Sequence, residues 1–209
     1  MKDAQGGPAY GRTNWRRFAV AAAVPVGAVV ALTVGMANGA FAASFAVSGQ
    51  SFKISADKLE GTGFAQYGDK DTTKDGTEIP VAVSGISSAK LYNLCQSVKV
   101  PGLPVSLTIR AGRESGKPAE ATDLLIGMSE LSGDAEFTDI NIGQDASTLG
   151  LGGEGAKGTK GMFGQEAKSV TITGLKQTST STSAGTFKLK GLNLKVNGPG
   201  SDGKPAECF

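Results

Sequence analysis

The chain has 209 residues, with 21 basic and 19 acidic side chains and no histidine. Without an imidazole, Ser-His-Asp and Cys-His catalysis are excluded, because both need it to carry the proton of the nucleophile. Two cysteines and no histidine also cannot supply the usual ligand set for zinc. We therefore predict no histidine-dependent catalysis, no zinc and no cofactor.

The first 42 residues predict an export signal or a membrane anchor. Arg16 and Arg17 precede an uncharged stretch from 18 to 43, and Ala40-Phe41-Ala42 offers the small side chains that signal peptidase needs. Cleavage after Ala42 leaves a domain at 43–209. The alternative is an uncleaved anchor, because the apolar stretch is long enough to cross a hydrocarbon core of about 30 Å. Both alternatives predict an extracellular or cell-envelope location.

The basic charge of the chain lies in this leader. The first 42 residues hold four of the 21 basic residues and one of the 19 acidic ones, which leaves 17 against 18 in the domain. A nearly neutral domain lacks the basic footprint of a nucleic-acid-binding protein. We therefore predict no nucleic-acid partner.

Apolar residues alternate with polar ones along most of the domain, and no stretch of a dozen residues carries a helical stripe. The pattern predicts eight to ten short strands separated by turn residues. We expect an all-β fold after the N-terminal hydrophobic leader helix. Its form is a single curled antiparallel domain of β-sandwich, jelly-roll-like or half-barrel type.

One local motif recurs, with two apolar residues two apart and a third that follows a glycine. It appears as VAVSGI at 81–86, VTITGL at 170–175 and FKLKGL at 187–192. A bulge at each glycine would turn the third apolar side chain back to the inner face. This predicts a curled sheet with one apolar face, which either forms an ordinary core or binds an apolar ligand. The predicted ligand face is Val81, Val83, Ile86, Val170, Ile172, Leu175, Phe187, Leu189 and Leu192.

The segment 143–169 holds eight glycines in 27 residues and predicts a flexible loop. It also carries four large apolar residues that a solvated linker does not need. We therefore consider a lid over an apolar cleft. Its residues would be Leu149, Leu151, Met162 and Phe163.

The polar stretch 68–78 predicts a hairpin tip. Asp69, Asp71, Asp75 and Glu78 are a weak candidate for a calcium site, because calcium prefers clustered carboxylate oxygens. Their spacing is not that of an EF-hand, and neighbouring lysines offset the charge. The main expectation is a solvated turn without metal.

Cys95 and Cys208 are the only cysteines. In an exported chain they most simply form one disulfide that ties the carboxyl-terminal tail to the middle of the fold. The chain-entropy model gives such a long loop about 4–5 kcal/mol of stabilisation. The sequence therefore predicts a structural disulfide.

Several stretches resemble a family of small exported actinobacterial proteins without an established function. They are 43–68 (ASFAVSGQSFKISADKLEGTGFAQYG), 80–98 (PVAVSGISSAKLYNLCQSV), AGTFKLKGLNLKV with the terminal ECF, and the leader GRTNWRRFAV. Members of that family often carry the label cholesterol esterase. The resemblance implies an exported protein and supplies no catalytic residues. The fragments FKISADKLEG and VTITGLKQT are also similar to curled β-folds that bind lipid in bacterial envelopes.

These observations predict a non-catalytic binding domain of the cell envelope, with a lipid, another apolar ligand or a membrane as its partner. A first alternative is a structural or assembly protein that pairs with itself or an envelope protein through sheet edges. A second alternative is an esterase-type hydrolase. The sequence disfavours it, because there is no histidine and no G-x-S-x-G motif.

Overall fold

A computed structural model describes residues 48–209. The predicted leader at 1–42, and with it the question of cleavage, lies outside these residues. Within 48–209 no helix has the length and apolar character needed to cross a membrane. The elements are β1 (Phe52–Thr72), β2 (Glu78–Tyr92), β3 (Leu94–Lys99), β4 (Ser106–Ala111), β5 (Ala119–Asp145), a 3-10 turn (Ala146–Thr148), β6 (Phe163–Ser183), β7 (Thr186–Lys188) and β8 (Asn193–Asn197).

The predicted all-β fold is confirmed, and all eight strands belong to one antiparallel sheet. Strands β1, β2, β5 and β6 pair in a closed ring. Following the pairing partners from Phe52 through Ser179, Met128 and Ala82 leads back to β1 at Gly68. The strands are therefore steeply tilted, as a ring of only four strands requires. The fold is one curled sheet and not two stacked sheets.

Three short strands continue the sheet beyond one end of the ring. Strand β3 pairs with the start of β1 and with β4, and β4 pairs with β8. We call β3, β4 and β8 the extension. Strand β7 pairs with the start of β5, and Gly112 N–H at the end of β4 donates to the carbonyl of Lys190 at 2.8 Å. Strand β7 lies beside β5, whereas β8 lies beside β4 in the extension. The chain that joins β7 and β8 therefore crosses from the β5 side of the ring to the extension.

The sheet bends sharply along a line that crosses all four ring strands. Regular pairing is interrupted at Asp123, Ser87, Gly63, Lys168 and Asp139, which are neighbours across the sheet. Every second residue on this line has a positive φ, with 49° at Asp123, 67° at Gly63 and 52° at Asp139. On either side of this line every second side chain of a strand points into the core. Across the line this alternation shifts by one residue in each strand. This first corner lets the ring close while one face stays apolar.

A second corner crosses the end that carries the extension. It runs through Gly174, Asp57, Asn93, Gly112 and Gly191, of which all but Asp57 have a positive φ. Asn93 Nδ2 donates to the carboxylate of Asp57 at 3.1 Å. The predicted change of phase at Gly174 and at Gly191 is therefore confirmed as a corner of the whole sheet.

The bulge predicted at Gly85 is wrong. Gly85 pairs directly with Ala65 on one side and Leu125 on the other, without a break in register. Ile86 consequently faces the core, whereas Val83 packs on the outer face. The phase change in β2 comes two residues later, at the first corner.

Apolar side chains fill the ring. The rings of Phe64 and Phe137 lie 5.2 Å apart and tilted, and the largest side chains of the core are fully buried. Burial of this surface is the main stabilising term of the fold. The fully buried core side chains with the largest volumes are Leu59, Leu124, Met128, Leu175 and Val170.

Candidate functional site

The inner face of the ring continues onto the extension. Ile54 in β1 pairs with Gln96 in β3, Gln96 pairs with Ile109 in β4, and Ile109 pairs with Leu194 in β8. Directly paired residues of antiparallel strands lie on the same face of a sheet. Because Ile54 belongs to the core, Ile109 and Leu194 lie on the same face as the core but beyond the ring.

This face is apolar and partly open to solvent. Leu192, Leu194 and Val196 are exposed, whereas Val98, Leu107 and Ile109 are half-buried. A second row, Val98–Leu107–Val196, runs beside the first. Leu194 is 57% and Val196 63% exposed, although both lie on the face that is buried elsewhere in the sheet. A contiguous exposed apolar patch on a small domain is typical of an interaction site. We call these residues the apolar strip: Val98, Leu107, Ile109, Leu192, Leu194 and Val196.

The outer face of the extension is polar and covered by the carboxyl-terminal tail. Ser97 and Ser106 are 1% and 0% exposed, although both are polar. Ser97 Oγ accepts from Cys208 N–H at 3.0 Å, and Ser106 Oγ donates to the carbonyl of Ala206. The tail therefore satisfies the hydroxyls of Ser97 and Ser106 and leaves the inner face of the extension apolar and uncovered within residues 48–209.

The predicted disulfide between Cys95 and Cys208 is confirmed, with the Cα atoms 5.8 Å apart. Next to it, Glu207 forms ion pairs with Lys99 at 2.8 Å and with Lys53 at 3.5 Å. Burial raises the pKa of Glu207, but the hydrogen bonds and charges of these two lysines lower it more, so the net shift is downward. The tail is thus held by one covalent bond and by charge pairing.

A narrow cavity of about 10 Å³ lies at the end of the ring that carries the extension. This volume is too small for a ligand chain. None of the residues that line it is charged, and Phe187, 37% exposed, lines its outer part. The lining residues are Ile54, Leu59, Leu91, Leu94, Gln96, Leu124, Ile126, Leu175, Gln177, Thr182 and Phe187.

The structure divides the predicted ligand face into three groups. Val81 is 6% exposed, and Val83 lies in the outer cluster. These two residues therefore do not form one surface with the other predicted residues. The four residues Ile86, Val170, Ile172 and Leu175 are ordinary core. Leu192 belongs to the apolar strip, and Phe187 and Leu189 lie at the same end of the ring.

Most of the strip was missed by sequence reasoning. The alternation of Leu192, Leu194 and Val196 indicates a strand, but alternation alone does not tell whether a face is covered. The informative signal is Gly191, since the corner at this residue keeps Leu192 on the inner face while the chain leaves the ring.

The glycine-rich segment 143–169 is not one loop. Residues 143–145 end β5 and 163–169 begin β6, while the segment between them packs on the outer face of the ring. A side chain at Gly85 would place its Cβ 2.4 Å from the Cβ of Ala156 and 2.8 Å from the carbonyl of Gly152. Glycine at position 85 therefore permits close approach of this segment. The glycine of the motif serves packing at this position and does not mark a bulge.

The four predicted lid residues are not brought together. Leu149 is fully buried in the outer cluster with Ala65 and Tyr67, and the carbonyl of Leu151 accepts from Ser87 Oγ at 2.6 Å. Met162 and Phe163 are 51% and 58% exposed where β6 begins. The position of Leu149 favours a structural role on the outer face.

Glu166 fastens the glycine-rich segment to β6. Its Oε2 accepts the N–H groups of Gly150 at 2.8 Å and Leu151 at 3.1 Å, and its Oε1 accepts from Gln144 Nε2 at 3.1 Å. Burial raises the pKa of Glu166, but these three hydrogen bonds outweigh burial and the net shift is downward. The ionised carboxylate is therefore the form that holds the segment.

Tyr67 lies beneath this segment, and burial raises its pKa to about 12, with a smaller contribution from the charge of Asp69. The ordinary tyrosine pKa is about 10. The folded protein therefore retains the phenolic proton to higher pH than the unfolded chain. Below about pH 10 the ionisation of Tyr67 should not change the free energy of unfolding. Between about pH 10 and 12 its ionisation should make the free energy of unfolding fall as the pH rises.

The Tyr67→Phe variant isolates this effect. Denaturant titrations of both proteins across this pH range should show a smaller loss of stability in the variant. An ultraviolet titration at alkaline pH should find one phenol fewer with a late transition. Identical pH dependence of the two proteins would contradict a buried Tyr67.

The hairpin tip predicted at 68–78 is formed by a turn between Thr72 and Glu78. Within 48–209 no three His, Cys, Asp or Glu side chains lie close enough to hold a metal ion, so the four candidate carboxylates do not form such a group. They have other partners. Glu78 pairs with Lys70, Asp75 accepts from Thr73, Asp71 accepts from Thr180, and Asp69 accepts from the N–H of Lys70.

Fold and surface together define a class of protein. It is a small all-β domain whose tail is held by one disulfide and whose core face continues beyond the ring as an apolar strip. Within that class the chain belongs to the family of unknown function DUF6230, whose model matches residues 48–209. No curated protein and no solved structure matches the chain.

Proposed function

We propose that this domain is an exported, non-catalytic protein of an actinobacterial cell envelope that binds an apolar ligand along the strip. The exposure of Leu194 and Val196 on the core face is the observation that carries this proposal. Covering such a face removes apolar surface from water, which favours binding by about 25 cal/mol per Å². The polar outer face supports a single binding side.

The dimensions of the strip favour a chain of medium length. Neighbouring strands lie about 4.8 Å apart, so the two steps from β3 to β8 span roughly 10 Å. An alkyl chain lying across the strands contacts Ile109 and Leu194 in one row and Leu107 and Val196 in the other. The cavity beside the extension is too small for the chain, so we place the chain on this surface.

The double variant Leu194→Ser/Val196→Ser tests this binding mode. We expect affinity for 1-octanol, measured by titration below its aggregation limit, to fall about tenfold, because two apolar contacts are lost. Ile142→Ser is the matched control, since Ile142 is 66% exposed but lies in β5 away from the extension. Equal affinity of wild type and double variant would contradict the proposal.

A second candidate is assembly through β8. This strand pairs with β4 on one edge, and among residues 48–209 no strand pairs with its other edge. A free edge with apolar side chains is a site for pairing with another chain. Assembly predicts a concentration-dependent dimer in light scattering that Leu194→Lys abolishes, whereas the preferred function predicts a monomer that binds octanol.

The lack of histidine and of a G-x-S-x-G motif supports a non-catalytic role over the esterase alternative. A hydrolase would turn over an ester probe and lose that activity when one particular serine or carboxylate is replaced. We expect no turnover of such a probe.

A further inference from the structure

A group of polar side chains lies at the inner end of the strip, inside an otherwise apolar surface. Thr182 pairs with the core residue Ile126 and therefore faces inward. Its Oγ1 is shielded from solvent and has no hydrogen-bond partner in the described part of the chain. Leaving a buried hydroxyl without a hydrogen-bond partner is unfavourable. Such an atom is a candidate for contact with a ligand.

Gln96 and Gln177, which line the same cavity as Thr182, are polar but uncharged. Gln177 and Ser179 are 2% and 0% exposed, and Gln177 Nε2 donates to Ser179 Oγ at 2.9 Å. Gln96, which also lines the cavity, pairs with Ile109 and so connects this polar group to the strip. No lysine or arginine lines the cavity that could neutralise an anion.

The cavity between these groups has the size of one oxygen atom with its hydrogen. Its volume of about 10 Å³ is close to the minimum of about 10–15 Å³ that a single water needs. A ring or a phosphate does not fit, whereas the hydroxyl or carbonyl at the end of a chain does. Gln96 lines the cavity and pairs with Ile109, so the rest of the ligand can continue from the cavity across the strip.

We infer that the ligand of the strip is an uncharged amphiphile, whose terminal hydroxyl or carbonyl group enters this cavity and hydrogen-bonds Thr182 Oγ1. This inference rests on the proposed function, since it names the chemical class of the ligand that the strip binds. It also sets a selectivity. A carboxylate of equal chain length is disfavoured, because burying a charge without a partner costs much more than burying a hydroxyl that is hydrogen-bonded.

The test compares 1-octanol with octanoate at pH 8, where octanoate is ionised. Each is titrated into the full domain and followed by the methyl NMR signals of the strip. We expect octanol to bind at least tenfold more tightly. Thr182→Val should weaken octanol binding about fivefold or more and leave the protein at least as stable, because its methyl group replaces an unsatisfied hydroxyl. Thr182→Ser keeps the hydroxyl and should restore binding.

Three outcomes would contradict the proposals in distinguishable ways. If octanoate binds as tightly as octanol, the neutral head group is wrong while the strip still binds apolar chains. If Thr182→Val binds octanol like wild type, the head group does not bind at Thr182, or a water molecule is its only occupant. If neither compound shifts the strip methyl signals, the proposed function itself fails.

Discussion

Removing the disulfide with Cys95→Ser/Cys208→Ser is expected to lower the free energy of unfolding by about 4 kcal/mol. The bond closes a loop of sequence separation 113, and restricting so long a loop in the unfolded chain is worth roughly 4–5 kcal/mol in the chain-entropy model. For a domain of this size the loss corresponds to a fall in melting temperature of about 10 °C. Urea denaturation with and without reductant measures it.

Glu207→Gln is the matched control for the tail. It weakens the ion pairs with Lys53 and Lys99 but keeps the covalent bond. Partly exposed ion pairs contribute about 0–1 kcal/mol, so this variant should remain close to wild type. If both variants lost the same small amount, the disulfide would not be the main attachment of the tail.

Gly112→Ala is expected to be the most damaging single glycine substitution at the second corner. Gly112 has a φ of 65°, and an added Cβ would lie 2.6 Å from the nitrogen of Ala119 and 2.7 Å from the carbonyl oxygen of Leu91. Both neighbours are backbone atoms that cannot rotate away. The left-handed conformation costs an alanine about 1–2 kcal/mol, and displacing packed backbone adds about 1–3 kcal/mol. We expect a total loss of about 2–5 kcal/mol.

Gly174→Ala separates these two contributions. Gly174 lies on the same corner with a φ of 64°, but an added Cβ meets nothing within 4 Å. Its substitution should cost only the conformational strain, about 1–2 kcal/mol. Denaturant unfolding of the two variants measures the difference. Equal losses would show that close approach at Gly112 is not what requires glycine.

The strands and the disulfide follow from local pattern, and the corners follow in part. Core residues three apart mark a corner, as at Ile172 and Leu175 or Leu91 and Leu94. Glycine draws attention to the first pair, but at the second pair the left-handed residue is Asn93. At Gly85 the same glycine motif serves packing of the segment above it. Glycine thus either forms a corner or permits close packing in this domain. The spacing of the core residues tells which of the two applies, whereas the presence of glycine does not.

Closure of the ring could not be predicted, because it depends on which distant strands pair. Strand β1 pairs with β6, more than 90 residues further along the chain. The exposure of the strip could not be predicted for the same reason. Leu194 and Ile172 are both apolar, and both lie in strands where apolar and polar residues alternate. Only the position of β8 beyond the ring makes one exposed and the other buried.

A methyl NMR titration of the wild-type domain with 1-octanol tests the central claim, binding on the apolar strip, most directly. Binding on the strip predicts saturable shifts at Leu107, Ile109, Leu192, Leu194 and Val196, with the signal of Ile142 unchanged. Shifts spread over all exposed methyl groups, or none at the strip up to the aggregation limit of octanol, would contradict it.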